Sequence, residues 1–329
     1  MPSPVLATSF QLIRRPSGMP SPEDFELVSS HLALDAPDRL LVENLLFSVD
    51  PYHRQSMDEI WELHAPLEGR SIGRVVDSST AGIEVGALVF HRRAYATHAI
   101  VDAAEARVLD PAEGVPLSAY LGVLGGTGLT AYVGLTHVAP VRPGDRVLIT
   151  AAGGAVGSVG GHIARLLGAS AVVGVTGRPA KARRLLDGPF DAVLDYRARP
   201  VAERLAELEP FDVALEGVGG EQLEAVIEAM RPGGRIAWVG HIADYNLAEP
   251  PAAPRNLARL IESEIALNGY LVARHLDLRE EYEAFMIPQL RSGAVPVDET
   301  VAFGVERAID ALIAVLRGEN FGKQLVDLR

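Results

Sequence analysis

AAGGAVGSVGGHIARLLGA occupies residues 151–169, and six of these nineteen residues are glycine. Glycine loses the most backbone freedom on folding and is a poor helix former. Its density at the head of a helical pattern implies that another group must come close to the backbone. Before the stretch, Arg146-Val147-Leu148-Ile149-Thr150 reads as a short buried strand. Inside it, Val156, Val159, Gly160, Ile163, Ala164 and Leu167 share one helical face, and Ser158, His162 and Arg165 take the opposite one. Ala171-Val172-Val173-Gly174-Val175 then reads as a second strand. Strand, glycine turn, helix and strand make a βαβ unit with parallel strands.

The fingerprint for a dinucleotide at such a turn is G-x-G-x-x-G. Here it reads Ala152-Gly153-Gly154-Ala155-Val156-Gly157, with alanine at the first glycine. Gly154 lets the turn touch a pyrophosphate, and Gly157 lets helix and strand pack closely. The phosphates rest on the helix N-terminus, where free N–H groups and the dipole favour anions. A tight turn without a ligand is the alternative; the two flanking strands favour nucleotide binding.

A chain of 329 residues with 48% apolar content predicts two domains with real cores. Thirty Lys and Arg against 43 Asp and Glu leave a net charge of −13, which argues against nucleic acid or an anionic membrane as partner. No cysteine is present, so thiolate chemistry and the usual thiolate zinc ligands are absent. The nine histidines are scattered, with no pair one helical turn apart beside a carboxylate, and the expectation is no metal site. MPSPVLATSFQLIRRP at the start lacks an apolar signal core, and no apolar run of about 18 residues occurs. A cytoplasmic enzyme is the expectation.

Residues 1–115 carry short alternating runs rich in turn residues, at 40–46, 71–76 and 87–91, and read as an antiparallel β-rich domain. From 116 to 292, strands alternate with helical segments; the strands fall at 147–150, 171–175, 192–194, 212–215, 235–239 and 265–271. That alternation predicts a doubly wound parallel sheet. Residues 293–329 break the pattern with a strand near 299–302, a helix over 305–316 and a strand over 324–326. This tail is long enough to rejoin the first domain, which makes the nucleotide domain an insertion. The most loop-like stretch is AEPPAAPRN, residues 248–256.

NAD-binding units usually end their second strand with an acid on the ribose hydroxyls. Here Val175 is followed by Thr176-Gly177-Arg178-Pro179-Ala180-Lys181, with two cations and no carboxylate. A 2′-phosphate is favoured there, so NADPH is the expected cofactor. The bland alternative is a solvated helix start with Lys181, Arg183 and Arg184 as surface charges.

VDPYHR (49–54), GLTAYVGL (128–135), the glycine stretch, EGVGGE (216–221), GGRIAWVGHIADYN (233–246) and GENFGKQLV (318–326) occur in this order. Together they resemble the zinc-free medium-chain dehydrogenase/reductases over nearly the whole chain. The branch most similar is that of the prostaglandin reductases, leukotriene hydroxydehydrogenases and 2-alkenal reductases. The resemblance implies an α/β protein: a GroES-like β-rich catalytic domain with an inserted Rossmann domain. It also implies NADPH-dependent reduction of a carbon–carbon double bond conjugated to a carbonyl, on a small enone, enal or enoyl substrate.

Residue by residue, the resemblance places the phosphate-binding lysine at Lys181 and the adenosine-side tyrosine at Tyr196. It puts a cofactor-pocket asparagine at Asn320 and a cofactor-lining residue at Thr130. Further cofactor contacts fall at Gly217 and Val218 of EGVGGE and at Gly240. Hydride addition leaves charge on the carbonyl oxygen, so a hydrogen-bond donor is the main catalytic need. The resemblance assigns that role to Tyr245, with Tyr52 near the nicotinamide. Core or interface packing is the alternative for both rings, a helix-start position for Thr130, and a turn or cap for Asn320.

Three departures stand out. Glu216-Gly217 replaces the Asp-Asn of the branch, Gly125-Gly126-Thr127-Gly128 replaces its Gly-Met-Pro-Gly, and His53 replaces a methionine. They are expected to cluster round the pocket and to set its substrate apart. Two other functions stay open, an NADPH quinone oxidoreductase of the same fold and a non-catalytic NADPH-binding protein. The apolar run 265–271 would leave a sticky sheet edge, which with the resemblance implies a homodimer joined through the nucleotide domains.

Overall fold

The computed structural model describes residues 4–247, 249 and 254–329. The loop-like stretch therefore lies mostly outside the described residues. The chain begins with β1 (Val5–Leu12), β2 (Phe25–Leu32) and β3 (Arg39–Val49), then α1 (His53–Glu59), β4 (Glu68–Ser78), β5 (Leu88–Arg93), β6 (His98–Asp102) and β7 (Arg107–Val108). After α2 (Gly126–Val133) strands and helices alternate: β8 (Arg146–Ile149), α3 (Ala155–Leu166), β9 (Ala171–Thr176), α4 (Pro179–Leu186), β10 (Ala192–Asp195), α5 (Val201–Leu205) and β11 (Phe211–Glu216). The alternation continues through α6 (Gly220–Ala229), β12 (Met230–Trp238), α7 (Ala258–Glu262), β13 (Ala266–Gly269) and α8 (Arg279–Ser292). β14 (Glu299–Phe303), α9 (Ala308–Leu316) and β15 (Lys323–Asp327) close the chain.

Two compact units result: residues 1–121 with 299–319 and 323–329, and residues 122–298 with 320–322. In the first, the strands order β14-β15-β3-β4-β5-β7, with β6 also on β3. All pairs are antiparallel except β14 with β15, so the tail adds to the sheet begun at the N-terminus. Apolar side chains of β3, α1 and α9 make one core, with Phe47, Met57, Trp61, Tyr95 and Leu312 each at most 2% exposed.

The second unit holds a sheet ordered β10-β9-β8-β11-β12-β13, parallel throughout. Strand order reverses between β9-β8 and β11, which places a topological switch point at the ends of β8 and β11. Leu148, Val173, Val175, Ala214 and Ile236 from its strands are buried with Leu223, Val226 and Ile227 of α6.

The helix after the glycine turn lies close against this sheet. A Cβ on Gly160 would stand 2.8 Å from Leu215 Cδ2, and one on Gly161 2.5 Å from the Phe190 ring. On the opposite face of α3 Ser158 is only 3% exposed, while His162 and Arg165 are half-buried. The alanine at the first fingerprint position has its own compensation. Ala152 is fully buried, and a Cβ on Gly174 of β9 would come within 2.9 Å of both Ala152 Cβ and Phe190 Cδ1. Gly174→Ala is therefore expected to destabilise the chain by about 1–3 kcal/mol, as overpacking does. Adding Ala152→Gly should recover part of that loss, and an unchanged thermal midpoint in Gly174→Ala would refute the account.

Candidate active site

β8 ends at Ile149 and the chain turns sharply. Ala151 adopts φ +47, in the left-handed region that non-glycine residues avoid. The turn is held by Ala152 N–H to Val175 O at 2.9 Å and Gly154 N–H to Ala151 O at 2.8 Å. Gly154 is the N-cap of α3. A Cβ on Gly157 would sit 2.6 Å from Ala151 O, so the first turn of α3 needs glycine there to seat on the strand. The opening N–H groups of Ala155, Val156 and Gly157 precede any helical acceptor and face outward from the helix start. On Gly154 an added Cβ would meet only Ala151 O, at 3.2 Å, which leaves the approach of an anion open.

Residues 320–322 lie alongside this turn. Gly322 N–H donates to Gly153 O at 3.1 Å, and Asn320 Nδ2 donates to Gly322 O at 2.8 Å. Asn320 is thus brought beside the glycine turn, and its amide braces its own loop.

β9 ends at Thr176. A Cβ on Gly177 would lie 2.5 Å from the Tyr196 ring, so that ring rests on the bare Gly177 backbone. Arg197 stands over the same ring at 5.8 Å. Arg178 is the N-cap of α4, and Lys181 in its first turn is 9% exposed. The Lys181 side chain runs across the phosphate turn, where a Cβ on Gly153 would meet its Cδ at 2.7 Å. Burial first, then the charges of Arg178 and Arg197, lower its ammonium to about 8. Such a cation gains from a dianionic partner, and the donor set fits a phosphate.

β11 ends at Glu216, followed by Gly217-Val218-Gly219. Gly217 O accepts Ile242 N–H at 3.4 Å and Val218 O accepts Ala243 N–H at 3.0 Å. A Cβ on Gly240 would stand 3.0 Å from Gly217 O, so the segment after β12 passes directly over this turn. That segment carries Tyr245, half-buried and edge-on to His241 with ring centroids 5.1 Å apart. Burial, then the Asp244 carboxylate, raises the Tyr245 phenol, which stays protonated at neutral pH. Thr130, buried in α2, donates its hydroxyl to Gly126 O at 2.7 Å, and its backbone O accepts Tyr270 Oη at 2.8 Å. Thr127 donates to Gly122 O at 2.9 Å.

In the first unit, Tyr52 precedes α1, and its hydroxyl is buried with no hydrogen-bond partner among the described residues. Arg70 of β4 lies over its ring at 5.2 Å. Asp50 accepts short bonds from Lys323 Nζ and Ser48 Oγ, and Arg70 approaches it at 3.3 Å. Despite burial, Lys323 and Arg70 hold the Asp50 carboxyl far below its usual range. His53 does not face a pocket as expected. It is fully buried, its Nδ1 is 2.8 Å from the Tyr95 hydroxyl, and burial lowers it to about 3. The interior of the first unit, with Trp61 and Tyr95 against the ring, explains that position.

The Asp50–Lys323–Arg70 group has no signature in local spacing, because its members come from just past the end of β3, from β15 and from β4. Glu216 is visible in sequence only as a departure. Among the described residues no group of three or more His, Asp or Glu side chains is placed to hold a metal ion. No helix among them is long and apolar enough to cross a membrane. A cavity of about 510 Å³ lined by Ser158, His162, Arg184, Asp298 and Phe321 includes none of the expected site residues.

Residues 8–109 match the family described as the N-terminal domain of oxidoreductase, and residues 155–292 the family described as zinc-binding dehydrogenase. The chain is 34% identical over 324 residues to an NADP(+)-dependent 2-alkenal reductase of Nicotiana tabacum, covering 94% of each. It is 33% identical over 328 residues to prostaglandin reductase 1 of Sus scrofa, covering 98% of this chain and 99% of that one. CurA of Vibrio vulnificus, solved in complex with NADPH, superposes with a TM-score of 0.90 at 32% identity, covering 98% and 99%. With relatives matched from end to end, the chain belongs to the zinc-free medium-chain dehydrogenase/reductases, in the branch of the 2-alkenal and prostaglandin reductases.

Proposed function

We propose that this chain is an NADPH-dependent reductase of the carbon–carbon double bond in small α,β-unsaturated carbonyl compounds. The observation that carries the reading is the chemistry of one sheet edge. The carboxyl ends of β8, β9, β11 and β12 present the phosphate turn, Lys181, the Gly217–Gly219 turn and the Tyr245 segment. The names of the relatives, a 2-alkenal reductase and a prostaglandin reductase, support the same class.

In this reading the N–H groups of Ala155, Val156 and Gly157 take the pyrophosphate, with the α3 dipole behind them. Tyr196 on Gly177 flanks the adenosine, and Lys181 with Arg178 holds the 2′-phosphate. Gly217, Val218, Gly240 and the loop of Asn320 line the rest of the cofactor path, and Thr130 closes it through backbone packing. Bound NADPH supplies the hydride for the β-carbon. Tyr245, kept neutral by burial, donates its O–H to the carbonyl oxygen as enolate charge develops there. Tyr52 of the first unit, whose buried hydroxyl has no hydrogen-bond partner among the described residues, is by resemblance the alternative candidate for the donor role.

Leu271 is 61% exposed beyond the edge strand β13, and Ile261 is 83% exposed before it. An unpaired edge flanked by apolar side chains is a template for another strand. We infer a homodimer that pairs β13 with its copy. Light scattering at micromolar concentration should give twice the chain mass; a monomer mass would refute the pairing.

Two charge-assisted phosphate contacts of about 1.5 kcal/mol each predict about 10²-fold preference for NADPH over NADH. The Lys181 share of it has a pH signature. The free lysine titrates at about 8, and the phosphate binds its charged form. The preference is therefore full below that value and falls as pH rises through it, by about fivefold to tenfold near pH 9. Lys181→Met should lower the preference and flatten its pH dependence, with NADH binding little changed. Equal affinities for the two cofactors would sink the assignment.

Tyr245→Phe keeps the ring and removes the hydroxyl. Its turnover should fall by about 10²-fold, or on the order of 3 kcal/mol, while NADPH affinity barely moves. A screen of enals, enones, enoyl thioesters and quinones, read at the nicotinamide absorbance, tests the substrate class. Turnover of quinones alone would overturn it in favour of a quinone reductase, and no turnover of any would leave a nucleotide-binding protein.

A further inference from the structure

Glu216 is the last residue of β11 and is fully buried. Its partners are unusual for a buried acid, because none among the described residues is a cation. Oε1 accepts Thr150 Oγ1 at 3.2 Å, Val218 N–H at 2.9 Å and Gly219 N–H at 3.1 Å. Oε2 accepts Gly219 N–H at 3.2 Å. Thr150 Oγ1 in turn accepts Gly217 N–H at 2.9 Å. Three consecutive N–H groups, of Gly217, Val218 and Gly219, are thus turned inward onto one carboxylate and its hydroxyl neighbour.

The outward side of the turn follows from that. With the N–H groups drawn in, the carbonyls of Gly217 and Val218 point away and take the N–H groups of Ile242 and Ala243. Those two bonds seat the segment that ends in Tyr245. Gly219, at φ +77, and Gly220, at φ +53, adopt the left-handed backbone that the inward pull requires. The charged group bearing on Glu216 is Asp244 of that same segment, which repels it. Asp244 Oδ1 is buried with no hydrogen-bond partner among the described residues, and its Oδ2 lies 3.3 Å from His241 Nδ1.

We propose that Glu216 is a positioning residue whose ionised carboxylate sets the 217–219 turn and, through it, the Tyr245 segment, so that binding of the nicotinamide half of NADPH requires Glu216 to be charged. The proposal rests on the reading that these two segments hold the nicotinamide end. Burial, reinforced by Asp244 and opposed by the three hydrogen bonds, raises Glu216 to about 7. Protonation turns one acceptor oxygen into a donor. The acid then meets the Gly219 N–H with a hydrogen of its own, and the turn loses part of its template.

The test separates the two halves of the cofactor. Affinities of NADPH and of 2′,5′-ADP, which fills only the adenosine half, are measured by titration from about pH 6 to about pH 8.5 on the full chain. The 2′-phosphate and Lys181 act on both probes, so they cancel in the ratio of the two affinities. In the wild type the advantage of NADPH should fall as pH drops through 7, approaching tenfold per pH unit below it. In Glu216→Gln it should be small and flat, with faster hydrogen exchange at 217–219 and 242–243 at fixed pH. Asp244→Asn, which removes the repulsion, should move the wild-type midpoint downward.

Stability supplies a readout of opposite sign. The folded Glu216 value, about 7, lies above the 4.5 of a free glutamate, so the folded state gains protons relative to the unfolded one in that window. Its contribution favours folding at low pH and turns against it as pH rises through the window. Glu216→Gln should therefore lose less thermal stability than the wild type between about pH 5 and about pH 8, while binding NADPH less well. If Glu216→Gln fails to fold, the wild-type titration still decides. A pH-independent ratio with tight NADPH binding overturns this inference alone, and NADPH binding no tighter than 2′,5′-ADP at every pH overturns the cofactor reading with it.

Discussion

The second unit depends on how closely α3 approaches the sheet. Gly157 against Ala151 O, Gly160 against Leu215 and Gly161 against Phe190 each leave no room for a methyl group. Dispersion falls off steeply with separation, so a helix held one carbon further away would lose contacts along its whole length. It would also lose its aim. The first N–H groups of α3 keep their direction only while the helix start is seated on the end of β8. The same glycines that weaken α3 as an isolated helix therefore seat it on the sheet, and burial of Val159, Ile163 and Ala164 offsets the loss of propensity.

The interior handles charge in two contrasting ways. Asp50 is neutralised by Lys323 and Arg70, and the three residues tie together the end of β3, the start of β15 and β4. Removing one partner of such a group leaves a buried charge exposed to no counterion, which typically costs about 3–5 kcal/mol. Among the described residues Glu216 has hydrogen-bond donors but no counterion, and Asp244 nearby works against it. In the first, Asp50 keeps its charge across the whole physiological range. The second stands at the edge of protonation, under a turn whose shape it maintains.

Much of the site chemistry was legible in local order. The turn at 152–157 between two apolar strands identified the βαβ unit, because strand, turn and helix patterns are short-range properties. The absence of an acid after β9, with Arg178 and Lys181 in its place, announced the charge of the ligand. The contacts behind these features were not legible. Ala152 looked like a defect in the fingerprint until Gly174, on a neighbouring strand, was seen to accommodate its methyl group. His53 looked like a pocket residue and is a core residue, since nothing in VDPYHR tells which way the ring turns.

The sequence by itself determined the parallel nucleotide-binding unit and the β-rich unit shared by both ends of the chain. Periodicity, glycine placement and charge identity are written along the chain and need no partner to be read. Tertiary structure alone decided the rest. Which glycine meets Lys181, which carboxylate keeps a counterion, and how the turn after β11 carries the Tyr245 segment all depend on residues far apart in sequence. Burial and hydrogen bonding, which set the ionisation of Glu216 and Lys181, exist only once those residues are brought together.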